Sequence, residues 1–337
     1  MKEILNRLFE YNSLEKEEAK TILKKLAQGE YNNSQMAAFL TVYLMRSITV
    51  EELEGFRDAM LELCIPLAID DYNAIDLCGT GGDGKDTFNI STLSSFVVAG
   101  AGQNVAKHGN NGVSSVCGSS NLLAYFGYEF TNDSDALIKS LDESGICFLH
   151  APLFHPAMKN VGPIRKELGV KTFFNMLGPM VNPSFPKRQL VGVFSLELAR
   201  MYGYLYQKTD KDFVVLHSLD GYDEISLTGS FKMISQDSER IVHPHEIGLN
   251  TVKPEQLSGG RTIEDSAKVF INILSGKGTK AQNEAVIANA GTAIYCGKRL
   301  DSLEEGIEEA RESLVSGRAF DTFKKLVNNE QKIYSLN

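Results

Sequence analysis

The chain has no tryptophan, only nine prolines and only five cysteines in 337 residues. Cys64, Cys78, Cys117, Cys147 and Cys296 are scattered and form no CxxC pair. That argues against a disulfide scaffold or a zinc module and reads as reduced thiols in a cytoplasmic protein. No apolar run approaches the roughly 20 residues that a membrane-spanning helix needs. The start, Met1-Lys-Glu-Ile-Leu-Asn-Arg-Leu-Phe9, has charges where a signal peptide has an apolar core. Positive charge is scarce: 34 Lys and Arg stand against 43 Asp and Glu, for a net charge of −9. A general nucleic-acid binder relies on a basic surface, so this balance argues against that class, and any phosphate ligand has to be held by local geometry. None of the six histidines has metal-ligand spacing, and no Ser-His-Asp or Cys-His pattern stands out. Internal repeats and low-complexity segments are absent.

What is present is ordinary globular material, 43% hydrophobic and 23% charged, long enough for one large domain plus a smaller one. The first 65 residues show no strand. Apolar positions recur at helical spacing: Ile4, Leu5, Leu8 and Phe9; then Ala19, Ile22, Leu23 and Leu26, closed by Gly29; then Met36, Phe39, Leu40, Tyr43 and Leu44. Thr49-Val-Glu-Glu52 has the form of a capping box and opens a fourth helix, which Pro66 ends. This reads as a small helical module whose apolar faces need a partner, either the rest of the chain or a second subunit.

From Asn73 the pattern changes. Short β-like runs (Ala74–Cys78, Asn104–Lys107, Ile146–His150, Gln189–Phe194, Phe213–His217) alternate with helical segments such as Asp135–Ser144 and Leu196–Gln207. Alternation of this kind predicts an α/β domain with a largely parallel sheet and its loops at the carboxyl edge. The stretch from Pro156 to Gly178 interrupts it with helix and no strand, and the last third is helical over Glu264–Leu274, Thr279–Tyr295 and Leu303–Ser316.

Two glycine- and hydroxyl-rich loops follow the first two β-like runs. One reads Gly79-Thr-Gly-Gly82-Asp83-Gly-Lys-Asp-Thr87-Phe-Asn89-Ile90-Ser91-Thr92, the other Lys107-His-Gly109-Asn110-Asn-Gly-Val-Ser114-Ser115-Val-Cys-Gly-Ser119. Glycines let backbone approach a ligand, and free N–H groups and hydroxyls at a helix start bind anions. Two such loops suggest a ligand with two separated anionic groups. Gly79 to Gly84 matches GxGxxG literally, but a dinucleotide site wants the helix to begin at the glycines and an acid at the end of the next strand. Here the helix starts near Ser91 and the next run ends in Lys107-His108, which favours a phosphate cradle. Lys107, beside the glycine loop, is placed to offset phosphate charge, and Ser114, Ser115 and Ser119 either bind phosphate oxygens or simply start the next helix.

Asp220-Gly-Tyr-Asp223-Glu224 follows the run Phe213–His217. Adjacent carboxylates there are either a Mg²⁺ site, since Mg²⁺ takes one or two carboxylates with water and substrate phosphate, or a solvated acidic turn. Arg165 lies in the base-rich stretch from His150 to Gly169. Its planar fork suits a substrate carboxylate, although a helix-surface salt bridge is the more usual role.

Together these segments resemble the anthranilate phosphoribosyltransferases, the tryptophan-pathway branch of a superfamily shared with the pyrimidine nucleoside phosphorylases. The resemblance is carried by Gly79-Thr-Gly-Gly-Asp83, Asn89-Ile-Ser-Thr92, Lys107-His-Gly-Asn110 with Ser114-Ser115, His155-Pro-Ala-Met158, Arg165-Lys-Glu-Leu-Gly169, Phe174-Asn-Met-Leu-Gly-Pro179 with Asn182-Pro183, and Asp220-Gly-Tyr-Asp-Glu224. It implies a small all-helical domain (residues 1–65 with 163–182) and a large α/β domain (66–162 with 183–337) whose central, largely parallel sheet is flanked by helices. It implies a homodimer through the helical domains. Carried over by motif, Gly79, Gly82, Asp83, Thr87, Asn89, Ile90, Ser91, Thr92, Lys107, Gly109, Asn110, Ser114, Ser115 and Ser119 would surround phosphoribosyl pyrophosphate. Ser91, Asp223 and Glu224 would bind Mg²⁺, Gly79, Asn110 and Arg165 would contact anthranilate, and Lys107 and Asn110 would position the substrates without any covalent nucleophile. The reaction implied moves the phosphoribosyl group onto the amine of anthranilate. The alternatives are a nucleoside phosphorylase and a non-catalytic binder of phosphoribosyl pyrophosphate. One departure stands out: Asn111 replaces the family's usual arginine, and Asn121 replaces its usual aspartate, so one positive and one negative group are missing together.

Overall fold

The computed structural model describes residues 1–112 and 117–334. The chain forms two compact units, residues Met1–Leu67 with Ala151–Phe185, and residues Ala68–His150 with Pro186–Asn337.

The first unit is helical. Helices Lys2–Phe9, Lys16–Gln28, Asn33–Met45 and Val50–Leu63 follow one another. Two of the starts are capping boxes, Asn32 with Gln35 and Thr49 with Glu52, and Gly29 closes the second helix at φ 76°, a left-handed conformation that costs glycine nothing. Helices Lys16–Gln28 and Val50–Leu63 pack closely because Gly55 is bare: a Cβ there would lie 2.9 Å from Ala19 Cβ. The second segment of this unit is longer than residues 163–182. It begins with the short helix Ala151–Phe154 and the 3-10 turn Pro156–Lys159, tied to the N-terminal helices by Asn160 Nδ2, which donates to the Ala27 carbonyl at 2.7 Å, and by the Ile65 N–H, which donates to the Phe154 carbonyl at 2.8 Å. Helix Gly162–Leu168 and the single turn Phe174–Leu177 follow.

An aromatic column forms the centre of the unit. Phe174 stacks on Phe173 (4.6 Å between centroids) and Phe173 on Phe56 (4.4 Å), with Phe39 and Tyr43 edge-on to the last two. Beside Tyr43 lies a buried ion pair. Glu52, fully buried, accepts from Arg46, from the Tyr43 hydroxyl and from the backbone N–H groups of Leu14 and Thr49. Burial alone would raise the Glu52 pKa, but Arg46 and the two N–H donors outweigh it and hold the carboxyl below its usual range.

The second unit is built on a seven-stranded sheet: β1 (Ile75–Gly79), β2 (Val105–Gly109), β3 (Ile146–His150), β4 (Arg188–Gly192), β5 (Asp212–Ser218), β6 (Phe231–Ser235) and β7 (Glu239–Val242). Its order is β3-β2-β1-β4-β5-β6-β7. The first five are parallel and the last two antiparallel. The parallel strands are buried on both faces, as helix-covered strands must be. The helices include Ile90–Gly100, Leu196–Tyr206 and the long Lys280–Lys298, whose alanines and glycines let neighbours approach closely. At Gly291 a Cβ would meet Ile307 at 2.7 Å. Phe96, Phe126, Phe270 and Phe323 form an edge-to-face cluster in the core. The hairpin β6–β7 goes beyond the five strands read from sequence, although Phe231-Lys-Met-Ile-Ser235 has strand composition. Strand order reverses on either side of β1, and in open α/β sheets ligands bind at the carboxyl ends of strands where this happens.

Candidate functional site

The carboxyl ends of β1, β2, β4 and β5 carry the residues singled out in the sequence. β1 ends at Gly79 and β4 at Gly192, which pair in parallel register. A Cβ on either glycine would collide with Asp223, with its carboxylate at Gly79 and with its backbone carbonyl at Gly192. The two strand ends are bare because the loop after β5 passes across them. That loop is fixed from behind: Ser218 Oγ donates to the Glu224 carbonyl at 2.7 Å, and the Asn289 side chain accepts from Ile225 N–H at 3.0 Å and donates to Ile225 carbonyl at 2.8 Å. Ser218 and Asn289 are buried, so the Asp223–Glu224 pair is held by rigid elements.

The first glycine loop closes onto these carboxylates. Gly81, in the left-handed region at φ 66°, donates its N–H to Asp223 Oδ2 at 2.6 Å. The Ser91 N–H, in the first turn of helix Ile90–Gly100, donates to Glu224 Oε1 at 2.8 Å. The helix begins at Ile90 and not at the glycines. Its N-terminal dipole therefore faces Glu224. Asp83 accepts from Lys85 N–H at 3.1 Å, and its charge adds to the repulsion on Asp223. Thr87 forms a β-bridge with Ser258, anchoring the far side of the loop. Asn89 does not cap its helix with its side chain. Instead its amide donates to the Cys117 carbonyl at 2.8 Å, joining the first loop to the second.

The carboxylates are poorly neutralised. Burial, then repulsion by Glu224 and by Asp83, pushes the Asp223 carboxyl well above its ordinary range. Burial pushes Glu224 up to about 7 against the opposing bonds from Ser91. Lys107 is a cation that pulls on Glu224. It is 1% exposed, its ammonium donates to the Leu77 carbonyl at 2.7 Å, and burial lowers its pKa while Asp76 and Glu224 support its charge. Asp76, on β1, is fully buried and accepts from His108 N–H and from the Gln189 amide. Among the described residues no three His, Cys, Asp or Glu side chains cluster as a metal shell. Two carboxylates with net charge left over suit a hard cation that takes its other ligands from water and phosphate.

In the second loop, Gly109 ends β2 where a Cβ would meet Phe148 and Ser119, each at 2.6 Å. The Asn110 carbonyl accepts from Ser119 Oγ at 3.3 Å and Ser120 N–H at 3.2 Å. Asn121 Oδ1 accepts from the N–H groups of Gly112 (2.8 Å) and Gly118 (3.1 Å), so the two ends of the loop are clamped by a neutral amide. Ser114 and Ser115 lie outside the described residues. Gly82 and Thr92 fall within the first loop and its helix, Thr92 buried. Arg165 belongs to the helical unit, half-buried, with its guanidinium 5.1 Å over the Phe174 ring. Burial alone lowers its pKa, and no carboxylate among the described residues pairs with it.

The positions that sequence reading passed over are Gly192, Asn289, Ser218 and Asp76. Each acts on the back of the site. Gly192 is a bare position inside the β-like run Gln189–Phe194, which is a usable signal. The other three carry none outside the fold.

Comparison with known proteins agrees with this arrangement. Residues 71–320 match the glycosyl transferase family, a/b domain, and residues 2–64 its helical bundle domain. The anthranilate phosphoribosyltransferase of Christiangramia forsetii is 64% identical over 326 residues, covering 97% of this chain and 98% of that protein. The chain belongs to the anthranilate phosphoribosyltransferase family. Among solved members of the family, the Thermus thermophilus enzyme superposes with a TM-score of 0.89 at 34% identity, covering 97% of this chain and 99% of its own. The Saccharomyces cerevisiae enzyme, solved in complex with phosphoribosyl pyrophosphate and Mg, shares the fold at 24% identity with a TM-score of 0.87, covering 98% and 97%. Among the described residues of this family member, no helix is long and apolar enough to cross a membrane.

Proposed function

We infer that this chain transfers the 5-phosphoribosyl group of phosphoribosyl pyrophosphate to the amine of anthranilate, giving N-(5-phosphoribosyl)anthranilate and pyrophosphate in tryptophan biosynthesis. The observation that carries this reading is 64% identity to a curated enzyme of that activity along nearly the whole of both chains. The site chemistry supports it. The bond from C1 of the ribose to the pyrophosphate oxygen breaks, with its electron pair leaving on pyrophosphate. The amine lone pair of anthranilate forms the new bond to C1 from the opposite face, and the amine proton goes to solvent. Neutral anthranilate is already nucleophilic, so the reaction needs neither a covalent nucleophile nor a strong base. What it needs is positioning and charge at the leaving group.

In this reading Gly79, Gly82, Asp83, Thr87, Asn89, Ile90, Ser91, Thr92, Lys107, Gly109, Asn110, Ser114, Ser115 and Ser119 surround phosphoribosyl pyrophosphate. Ser91, Asp223 and Glu224 hold Mg²⁺, which when bound supplies positive charge to the departing pyrophosphate. The uncompensated pair Asp223–Glu224 is the support for that assignment. Lys107 braces Glu224 from the sheet and, with Asn110, positions the substrates. Gly79, Asn110 and Arg165 contact anthranilate, and the unpaired guanidinium of Arg165 supports its role toward the carboxylate. The reading also includes a cytoplasmic homodimer joined through the helical units. Its support is the apolar surface of helices Lys2–Phe9 and Asn33–Met45, where Phe9, Leu44 and Met45 are exposed, together with Tyr11 just beyond the first helix.

The test is direct. Anthranilate fluorescence should fall when enzyme, phosphoribosyl pyrophosphate and Mg²⁺ are combined, with pyrophosphate released mole for mole. Release of free base from a nucleoside plus inorganic phosphate, with no loss of anthranilate, would identify a nucleoside phosphorylase instead. Tight binding of phosphoribosyl pyrophosphate without turnover would identify a binding protein.

A further inference from the structure

Arg165 has an unusual setting for a half-buried arginine. Its guanidinium lies 5.1 Å over the face of Phe174, which is stacked in turn on Phe173 and, through it, on Phe56. Its other described contact is Nη2 to the side-chain oxygen of Asn175, at 3.4 Å. That oxygen also accepts the Thr172 N–H at 3.1 Å, while the Asn175 N–H donates back to the Thr172 carbonyl at 2.9 Å. The Thr172 N–H can only donate, so the amide of Asn175 must present its oxygen there, and the same oxygen faces Arg165. The acceptor is therefore fixed in place and carries no net charge.

We propose that Asn175 is a positioning residue for substrate recognition: its amide oxygen and the Phe174 ring aim the Arg165 guanidinium while leaving its positive charge unspent for the carboxylate of the acceptor substrate. This rests on the reading of Arg165 given above. The choice of residue type carries the argument. An aspartate at 175 would accept the Thr172 N–H at least as well, because a charged acceptor makes the stronger bond. It would also form an ion pair with Arg165, and an incoming carboxylate would then have to displace a covalently tethered rival. Asparagine gives the orientation without the competition. Phe174 contributes in the same sense, since a cation over a ring face is held without neutralising it.

The experiment compares Asn175→Asp, Asn175→Ala and Arg165→Ala, each measured for KM of both substrates, kcat and Tm. Asn175→Asp should raise the KM for anthranilate by about tenfold or more, consistent with the energies of close charge pairs. The KM for phosphoribosyl pyrophosphate and the Tm should stay near those of the parent. Asn175→Ala should raise the anthranilate KM less than Asn175→Asp does, because it loosens the guanidinium without opposing it. A merely structural residue gives the reverse order, with alanine worse than aspartate and the damage seen in Tm. That order, or a parent-like anthranilate KM in Asn175→Asp, overturns the proposal. Arg165→Ala separates the two levels. If it leaves the anthranilate KM unchanged, the reading of Arg165 itself fails; if it raises that KM while Asn175→Asp does not, only the role of Asn175 fails.

Discussion

Two buried carboxylate clusters, one in each unit, show opposite electrostatics. Glu52 is surrounded by donors: Arg46, the Tyr43 hydroxyl and two backbone N–H groups bring its pKa down in spite of complete burial. Asp223 and Glu224 face one another and Asp83, with Lys107 and the N–H groups of Gly81 and Ser91 opposing, and burial drives both upward. Both clusters are equally well fixed by backbone and side-chain hydrogen bonds. The first is complete as the chain stands and serves structure. The second has no comparable set of donors among the described residues, and in the proposed reading Mg²⁺ would supply the missing positive charge.

The sharpest way to break this contrast is to neutralise each cluster and see which property falls. Asp223→Asn with Glu224→Gln should lower turnover by roughly a thousandfold or more, since a bound metal ion contributes several kcal/mol to stabilising developing charge. Its Tm should not drop, because the substitutions remove buried like charges. Turnover that persists with undiminished Mg²⁺ dependence would dispose of the metal assignment. Glu52→Gln should do the reverse, costing about 3–5 kcal/mol of stability through a stranded Arg46, while kcat at temperatures where the variant is folded stays near the parent value. Denaturation curves for the pair across pH sharpen this further. The Glu52 pKa is depressed on folding from a reference of 4.5. Its contribution is thus fully present above that pH and is lost as pH falls through the lower folded value. The gap between parent and variant should close on acidification, and a gap independent of pH would mean that packing and not charge is responsible.

Arginines give the same comparison on a smaller scale. Arg46 is matched by a carboxylate, and among the described residues Arg165 is not. Arg165→Ala should weaken anthranilate by about 2–5 kcal/mol, the cost of a buried charge pair losing one partner, and barely affect phosphoribosyl pyrophosphate. Arg165→Lys should recover only part, lacking the planar fork. Equal losses for both substrates would make Arg165 a structural residue like Arg46.

Much of this was legible in the sequence where local rules dominate. The five parallel strands, the helix starting near Ser91 (observed from Ile90) and the Thr49–Glu52 capping box all follow from periodicity and short-range hydrogen bonding, and each is present. The same local reading missed what depends on distant partners. Glu52 reads as a cap, yet it also accepts from Leu14 and Tyr43 across the helical unit. Lys107 reads as a strand-end lysine beside the glycine loop, and only the fold shows its ammonium buried against the Leu77 carbonyl. Asn289 sits in the middle of a long helix, and only the folded chain brings it to Ile225. The β6–β7 hairpin was legible in composition but was masked by the acidic loop before it.

The smallest expected effect concerns the second loop. Asn121 already holds Gly112 and Gly118 together with a neutral oxygen, so the usual arginine at position 111 would lack the aspartate that accompanies it in the family. Asn111→Arg should therefore change the dissociation constant for phosphoribosyl pyrophosphate with Mg²⁺ by less than about tenfold, or 1.4 kcal/mol. A larger tightening would reveal that the natural loop is impaired.

The helical unit is assembled from two stretches of chain with nearly half of the α/β unit's strands encoded between them. During synthesis Phe56 emerges long before Phe173, the ring it stacks upon. At translation rates of about 5–20 residues per second the wait between residues 67 and 185 is roughly 6–24 s. For that interval the N-terminal helices hold an unfinished apolar face, so the nascent chain, and not the finished enzyme, is the form most exposed to chaperones and proteases. Mutations at Phe39, Phe56 or Tyr43 should accordingly register first in the yield of folded protein made at the ribosome.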